Sequence, residues 1–168
     1  SDANNTYALA MREEDAEERG ITSLADLAQA LDDGASLNIG LNAEFYARDD
    51  GWRPLQEAYG FRVSRRDVSL MDSGLVYSAL RDGDVDVGLV FSTDGRIPAF
   101  DFHVLEDDQN YFPAYALTPV VREETLEANP ELAEQMNALS SLLDDETMAE
   151  LNARVDVERE TIEDVAQS

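Results

Sequence analysis

The chain has 168 residues, 43% of them hydrophobic, enough for one ordinary domain or two small lobes with a real core. Asp and Glu number 37 against 12 basic residues, all Arg, and the formal charge of −25 makes a surface that repels nucleic acid and anionic lipid, because phosphate binding needs a basic face. There is no cysteine, which excludes disulfides and thiolate chemistry, and no apolar run long enough to span a membrane.

The periodic apolar residues argue against a disordered acidic chain. An acidic interaction surface and adaptation to high salt remain, and high salt is the favoured reading. Screening contracts the Debye length to roughly 3 Å at 1 M salt, so self-repulsion then costs little.

Taken in order, residues 4–12 read as a strand, and the first residues lack the basic end and apolar stretch of an export signal. Residues 13–19 form a short acidic helix closed by Gly20. Thr22 or Ser23 caps the next helix; Ser23 with Asp26 resembles a capping box, and Leu24, Leu27, Ala28 and Leu31 make its apolar stripe. Residues 37–41 are a short strand, and residues 44–48 run into the turn Asp49-Asp50-Gly51. Residues 52–59 have helical spacing, with Pro54 tolerated in the first turn and Gly60 as the stop. Residues 61–70 are a strand candidate. A helix over 73–80 ends at Asp82-Gly83, and residues 85–91 are an almost unbroken apolar run, as expected of a strand covered on both faces. This alternation predicts an α/β lobe with a largely parallel sheet.

Two further short strands are expected at 102–105 and 116–121, flanking Glu106-Asp107-Asp108 and the aromatic loop Tyr111-Phe112-Pro113. The acidic triplet could mimic a metal site, but at this composition it reads as a solvated crossing. Three helices then follow. The first starts at Asn129-Pro130 and carries Leu132, Met136, Leu139 and Leu143 on one face. Asp144 caps the second, with Met148 and Leu151. The third covers 161–166 and stops short, which predicts a piece of a longer chain.

Residues 84–115 organise the rest: a buried strand ending at Phe91, a polar turn of Ser92, Thr93, Asp94, Gly95 and Arg96, a second strand, and an aromatic loop ending at Tyr115. Thr93 and Asp94 are expected to shape the turn through side-chain to backbone bonds. Trp52, Tyr111 and Phe112 are expected in packing, and His103, the one histidine, in a structural strand. No nucleophile elbow, phosphate-cradling glycine loop or HExxH zinc motif is present, so an enzyme is not expected, and no cofactor.

Several segments carry a resemblance: NNTYAL, EFYARDDG, DVDVGLVFSTDGRI, LEDDQNYFPAY followed by TPVVR, and LNARVD. In this order and spacing they resemble the substrate-binding proteins of osmoprotectant ABC importers, which take up glycine betaine, choline, carnitine and related quaternary amines. The resemblance implies an α/β fold of the type II periplasmic-binding-protein kind, with a ligand cleft between two lobes. Residues 1–102 would be the inserted α/β lobe. Residues 103–168 would be the returning crossover and C-terminal helical part of lobe one, whose N-terminal part is absent.

Motif by motif, Tyr7 and Tyr115 match positions of an aromatic cage, and Phe91 stands where the family commonly has Tyr. Asn5 matches a polar position near the ligand carboxylate. Arg48 matches an Arg that pairs with that carboxylate or braces the lobes. A trimethylammonium donates no hydrogen bond, so ring faces with their negative quadrupole suit it. The implied partners are a quaternary ammonium molecule and an ABC permease, in an extracytoplasmic setting; a homodimer of the shortened chain is an open alternative. The competing reading is a non-transport interaction or sensing module built on a partial binding-protein fold.

Overall fold

Strand β1 (Tyr7–Arg12) alternates Leu9 and Met11 on one face with Ala8 and Ala10 on the other, and all four are buried. A strand covered on both faces belongs in the middle of a sheet. The computed structural model, which describes residues 1–167, places it there: the order is β3-β2-β4-β1-β5, with β2 (Ile39–Leu41), β3 (Val68–Leu70), β4 (Val87–Phe91) and β5 (Phe102–Val104). β2 pairs parallel with β3 and β4, whereas β1 pairs antiparallel with both β4 and β5. Four strands therefore point one way and β1 runs against them, so the sheet is mixed where a largely parallel one was expected. The β1–β4 register sets Tyr7 opposite Phe91 and Leu9 opposite Leu89.

Helices cover both faces. α1 (Glu13–Arg19) ends at Gly20, whose φ of 65° supplies the left-handed cap. α2 (Leu24–Asp32) has the complete capping box between Ser23 and Asp26. α3 (Ala43–Ala47) is capped by Asn42, whose side chain accepts the Phe45 N–H at 2.7 Å. It replaces the expected run into a turn. α4 (Trp52–Tyr59) follows. One core joins Leu9, Met11, Leu24, Leu27, Ile39, Leu41, Phe45, Trp52 and Leu55 beneath these helices. On the opposite face α5 (Ser73–Asp82) packs Tyr77 and Leu80 against Ala8, Ala10 and Val90. A Cβ at Gly88 would lie 3.0 Å from Val76 Cγ1, so the glycine permits this close approach.

Two expected strands are shorter or missing. Of residues 61–70 only Val68–Leu70 enters the sheet. Phe61 turns into the core, the Val63 N–H is taken by the Gln56 side chain at 2.8 Å, and a 3-10 turn occupies Arg65–Asp67. Of residues 116–121 only Ala116 forms a bridge, with Asn4; the Leu117 N–H still reaches the Ala3 carbonyl at 2.9 Å, and beyond it the chain is exposed, Val120 by 93%, outside any ladder among the described residues.

After β4 come α6 (Arg96–Ala99) and β5, and the chain leaves the sheet at Leu105. Asp107 fixes the crossing: its carboxylate accepts the N–H groups of Tyr111 at 2.9 Å and Phe112 at 2.8 Å, and the Tyr59 hydroxyl. Among the described residues no three carboxylate or histidine groups are gathered for a metal ion. α7 (Glu123–Ala128), α8 (Glu131–Ser140), α9 (Asp145–Asp156) and α10 (Ile162–Ala166) complete the fold. They hold to the start of the chain through Ala3 N–H to the Leu143 carbonyl at 3.1 Å, and α9 packs on α6.

Candidate functional site

Five residues singled out from the sequence come together at the end of β1 and β4. Tyr7 and Phe91, opposite one another in the register, bring their ring centroids to 4.8 Å. Phe45 adds a third ring, 5.3 Å from Tyr7, and Phe112 backs Phe45 at 6.0 Å. Phe45 is buried and was not anticipated as a neighbour of the group, although it lies inside the EFYARDDG segment; nothing local tells which ring of that segment turns toward β1.

Arg48 follows α3 in extended backbone and reaches back over the group, its guanidinium carbon 5.8 Å from the Tyr7 ring centroid. Asp50 grips it with two bonds of 2.8 Å, from Nε and Nη2. The Asp50 bonds first, and then the Tyr115 hydroxyl, raise the guanidinium's pKa above its ordinary value, so its charge is fixed. Tyr115 is half exposed and connects to the site by its backbone too, accepting the Asn5 N–H at 3.2 Å. The Tyr111 hydroxyl donates to the Asp50 and Gly51 carbonyls at 2.9 and 3.0 Å, bracing the segment that carries Arg48.

Asn5 is exposed, and its side-chain oxygen accepts the Thr93 hydroxyl at 2.9 Å. Thr93 is only 6% exposed, and its carbonyl accepts from Asn152 of α9 at 2.8 Å. Asp94 clasps Arg96 through bonds of 2.8 and 2.6 Å, and the Arg96 guanidinium lies 3.7 Å from the centre of the Tyr77 ring. The Tyr77 hydroxyl accepts the Phe91 N–H at 2.9 Å; burial pushes this phenol's pKa up, keeping it neutral. The turn after Phe91 is thus held from behind. Asn5, Phe91, Thr93, Asp94, Asn152 and Asp156 line a depression of about 260 Å³. A larger one of about 790 Å³ runs along α4, away from the aromatic group.

Half-buried rings beside a fixed cation and a free amide group are suited to a molecule with one positive and one negative or polar end. The whole chain, residues 1–168, matches the family described as the substrate-binding domain of ABC-type glycine betaine transport systems. The chain belongs to this family. A glycine-betaine-binding protein of Pseudomonas aeruginosa is 47% identical over 97% of the chain, and the chain covers 54% of it. The glycine betaine-binding protein YehZ of Escherichia coli is 34% identical over 93% of the chain, which covers 53% of that protein. A crystal structure titled as a glycine betaine/carnitine/choline ABC transporter superposes with a TM-score of 0.89 at 36% identity, over 98% of this chain and 58% of that one. The fold is therefore α/β of the type II periplasmic-binding-protein kind, and the family is one of binding proteins rather than enzymes. The chain spans about half the length of the curated relatives it matches.

Proposed function

We propose that the chain forms part of the solute-binding component of an ABC importer and that it captures quaternary ammonium osmolytes such as glycine betaine or choline. Tyr7, Phe91 and Tyr115 supply the rings, Arg48 takes a ligand carboxylate, and Asn5 adds a polar contact. The observation that carries this reading is the position of Arg48: a charge-fixed guanidinium above the Tyr7 ring and beside the Tyr115 hydroxyl. A cation on the rings would then have its anionic end within reach of Arg48. In this reading residues 1–102 are one lobe, residues 103–168 return to the other, and the protein works outside the cytoplasm with a permease as partner. The acidic surface suits molar salt.

The test is calorimetric titration of the full-length protein with glycine betaine and choline in molar salt. Saturable heat supports the reading; no heat with any quaternary amine rejects it.

A second reading, as an interaction or sensing module, draws support from apolar side chains left open on the C-terminal part: Leu142 is 70% exposed and Ile162 69%. In that reading a second copy covers them as a homodimer, and light scattering showing a monomer rules it out.

A further inference from the structure

The depression beside Phe91 is built from both parts of the chain. Asn5, Phe91, Thr93 and Asp94 come from the ends of β1 and β4, and Asn152 and Asp156 come from α9. Arg48 stands over Tyr7, and Phe91, the other ring of the pair, lines the depression. A cation seated on the two rings would have Arg48 beside Tyr7 and the depression beside Phe91.

The hydrogen bonds of the lining decide what the depression can accept. The Thr93 hydroxyl donates to Asn5 Oδ1, which leaves the Asn5 amide N–H groups unused. Asn152 donates its amide N–H to the Thr93 carbonyl, which leaves Asn152 Oδ1 unused. These bonds fix which way each amide points. Asp94 is bound by Arg96, the cation whose charge also reaches Asp156. The Asp156 carboxylate is exposed and has no hydrogen-bond or ion-pair partner among the described residues. The acceptors left free on the α9 wall are Asn152 Oδ1 and the Asp156 carboxylate, beside one unused Asn152 N–H. They suit a donor and disfavour a second carboxylate.

We infer that this depression is a subsite for a hydroxyl or N–H arm on a quaternary ammonium ligand, with Asn152 and Asp156 as the accepting residues. The inference rests on the quaternary-amine reading above and adds to it a preference: ligands with a donor arm bind more tightly than otherwise identical ligands without one. Hydrogen bonds to a charged acceptor are the stronger kind, so the hydroxyl should be worth about tenfold in affinity.

Carnitine and γ-butyrobetaine differ by one hydroxyl and make the test direct. Both are titrated into the full-length protein in molar salt, with glycine betaine as a reference. Carnitine is expected to bind about tenfold more tightly than γ-butyrobetaine. Asp156→Ala is expected to bring the two affinities together by weakening carnitine, while γ-butyrobetaine and glycine betaine bind as before. That selective loss separates a specificity role from damage to the fold, which would weaken all three ligands. Asn152→Ala tests the second acceptor, with the melting temperature recorded because it also removes the bond to Thr93. Equal affinities for the two ligands in the unaltered protein, or a carnitine preference untouched by Asp156→Ala, would overturn the subsite and leave quaternary-amine capture standing. No heat with any of the three overturns both.

Discussion

Tyr7 and Phe91 face each other across the β1–β4 ladder, their ring centroids 4.8 Å apart and their planes inclined by 31°. Directly opposed side chains on one face of an antiparallel pair are held close by the ladder itself, so the two rings act as one surface. Phe91→Ala should weaken quaternary-amine binding by about 1 kcal/mol, and Phe91→Tyr should keep it, because the ring face carries the attraction. Calorimetry on the two variants checks this; an unchanged affinity in Phe91→Ala removes the residue from the site.

Arg48 is expected to separate ligands by their carboxylate. Lysine cannot reproduce the two-bond grip on Asp50 or a forked contact with a carboxylate. Arg48→Lys should therefore lower glycine betaine affinity by about tenfold and leave choline, which has no carboxylate, nearly unchanged. Equal losses for both ligands would make Arg48 a brace rather than a ligand contact.

Gly95 marks where the turn after β4 meets α9. Its φ of −63° suits any residue, so space alone requires glycine: an added Cβ would fall 2.1 Å from Ala153 N and 2.4 Å from its Cα. Gly95→Ala should cost about 1–3 kcal/mol of stability as α9 is pushed away. Gly74→Ala, where the nearest atom is the end of the Arg96 side chain at 3.6 Å, is the control and should not lower the melting temperature.

Asp94 gives a pH signature. Burial raises its carboxyl and the Arg96 bonds lower it further than that, so the folded value lies below its ordinary 3.8. A depressed carboxyl contributes stability above its unfolded value and loses it as pH falls through the folded one. Asp94→Asn should then be less stable than the unaltered protein by about 1–2 kcal/mol at pH 7, with the gap closing below about pH 4. Thermal melts at the two pH values measure it.

Salt should stabilise the chain. With a net charge of −25, self-repulsion opposes the folded state in dilute buffer and is screened at molar salt. The melting temperature is expected to rise with salt; a flat or falling curve contradicts adaptation to high salt.

Much of this was legible along the chain. The capping box at Ser23 and Asp26, the glycine stops at Gly20, Gly60 and Gly83, and the apolar run of β4 are local signals, decided by neighbours a few residues away. The spacing of those signals was enough to give the α/β alternation, and the quoted motifs were enough to point to the family. The sequence also supplied Asn5, Tyr7, Arg48, Phe91 and Tyr115 as candidates.

Only the tertiary structure decided how these parts meet. The direction of β1 depends on its partners β4 and β5, far away in sequence, and a run of alternating apolar residues has no preferred sense. Residues 61–64 and 117–121 look extended in composition, yet a strand needs a paired neighbour, and among the described residues neither run joins the sheet. Phe45 turning toward Tyr7, Asp107 binding the crossing loop and Asn152 reaching Thr93 are likewise distant meetings. A residue's local pattern shows that it can bury a ring or offer a hydrogen bond. Which group receives it is set by packing of the whole chain.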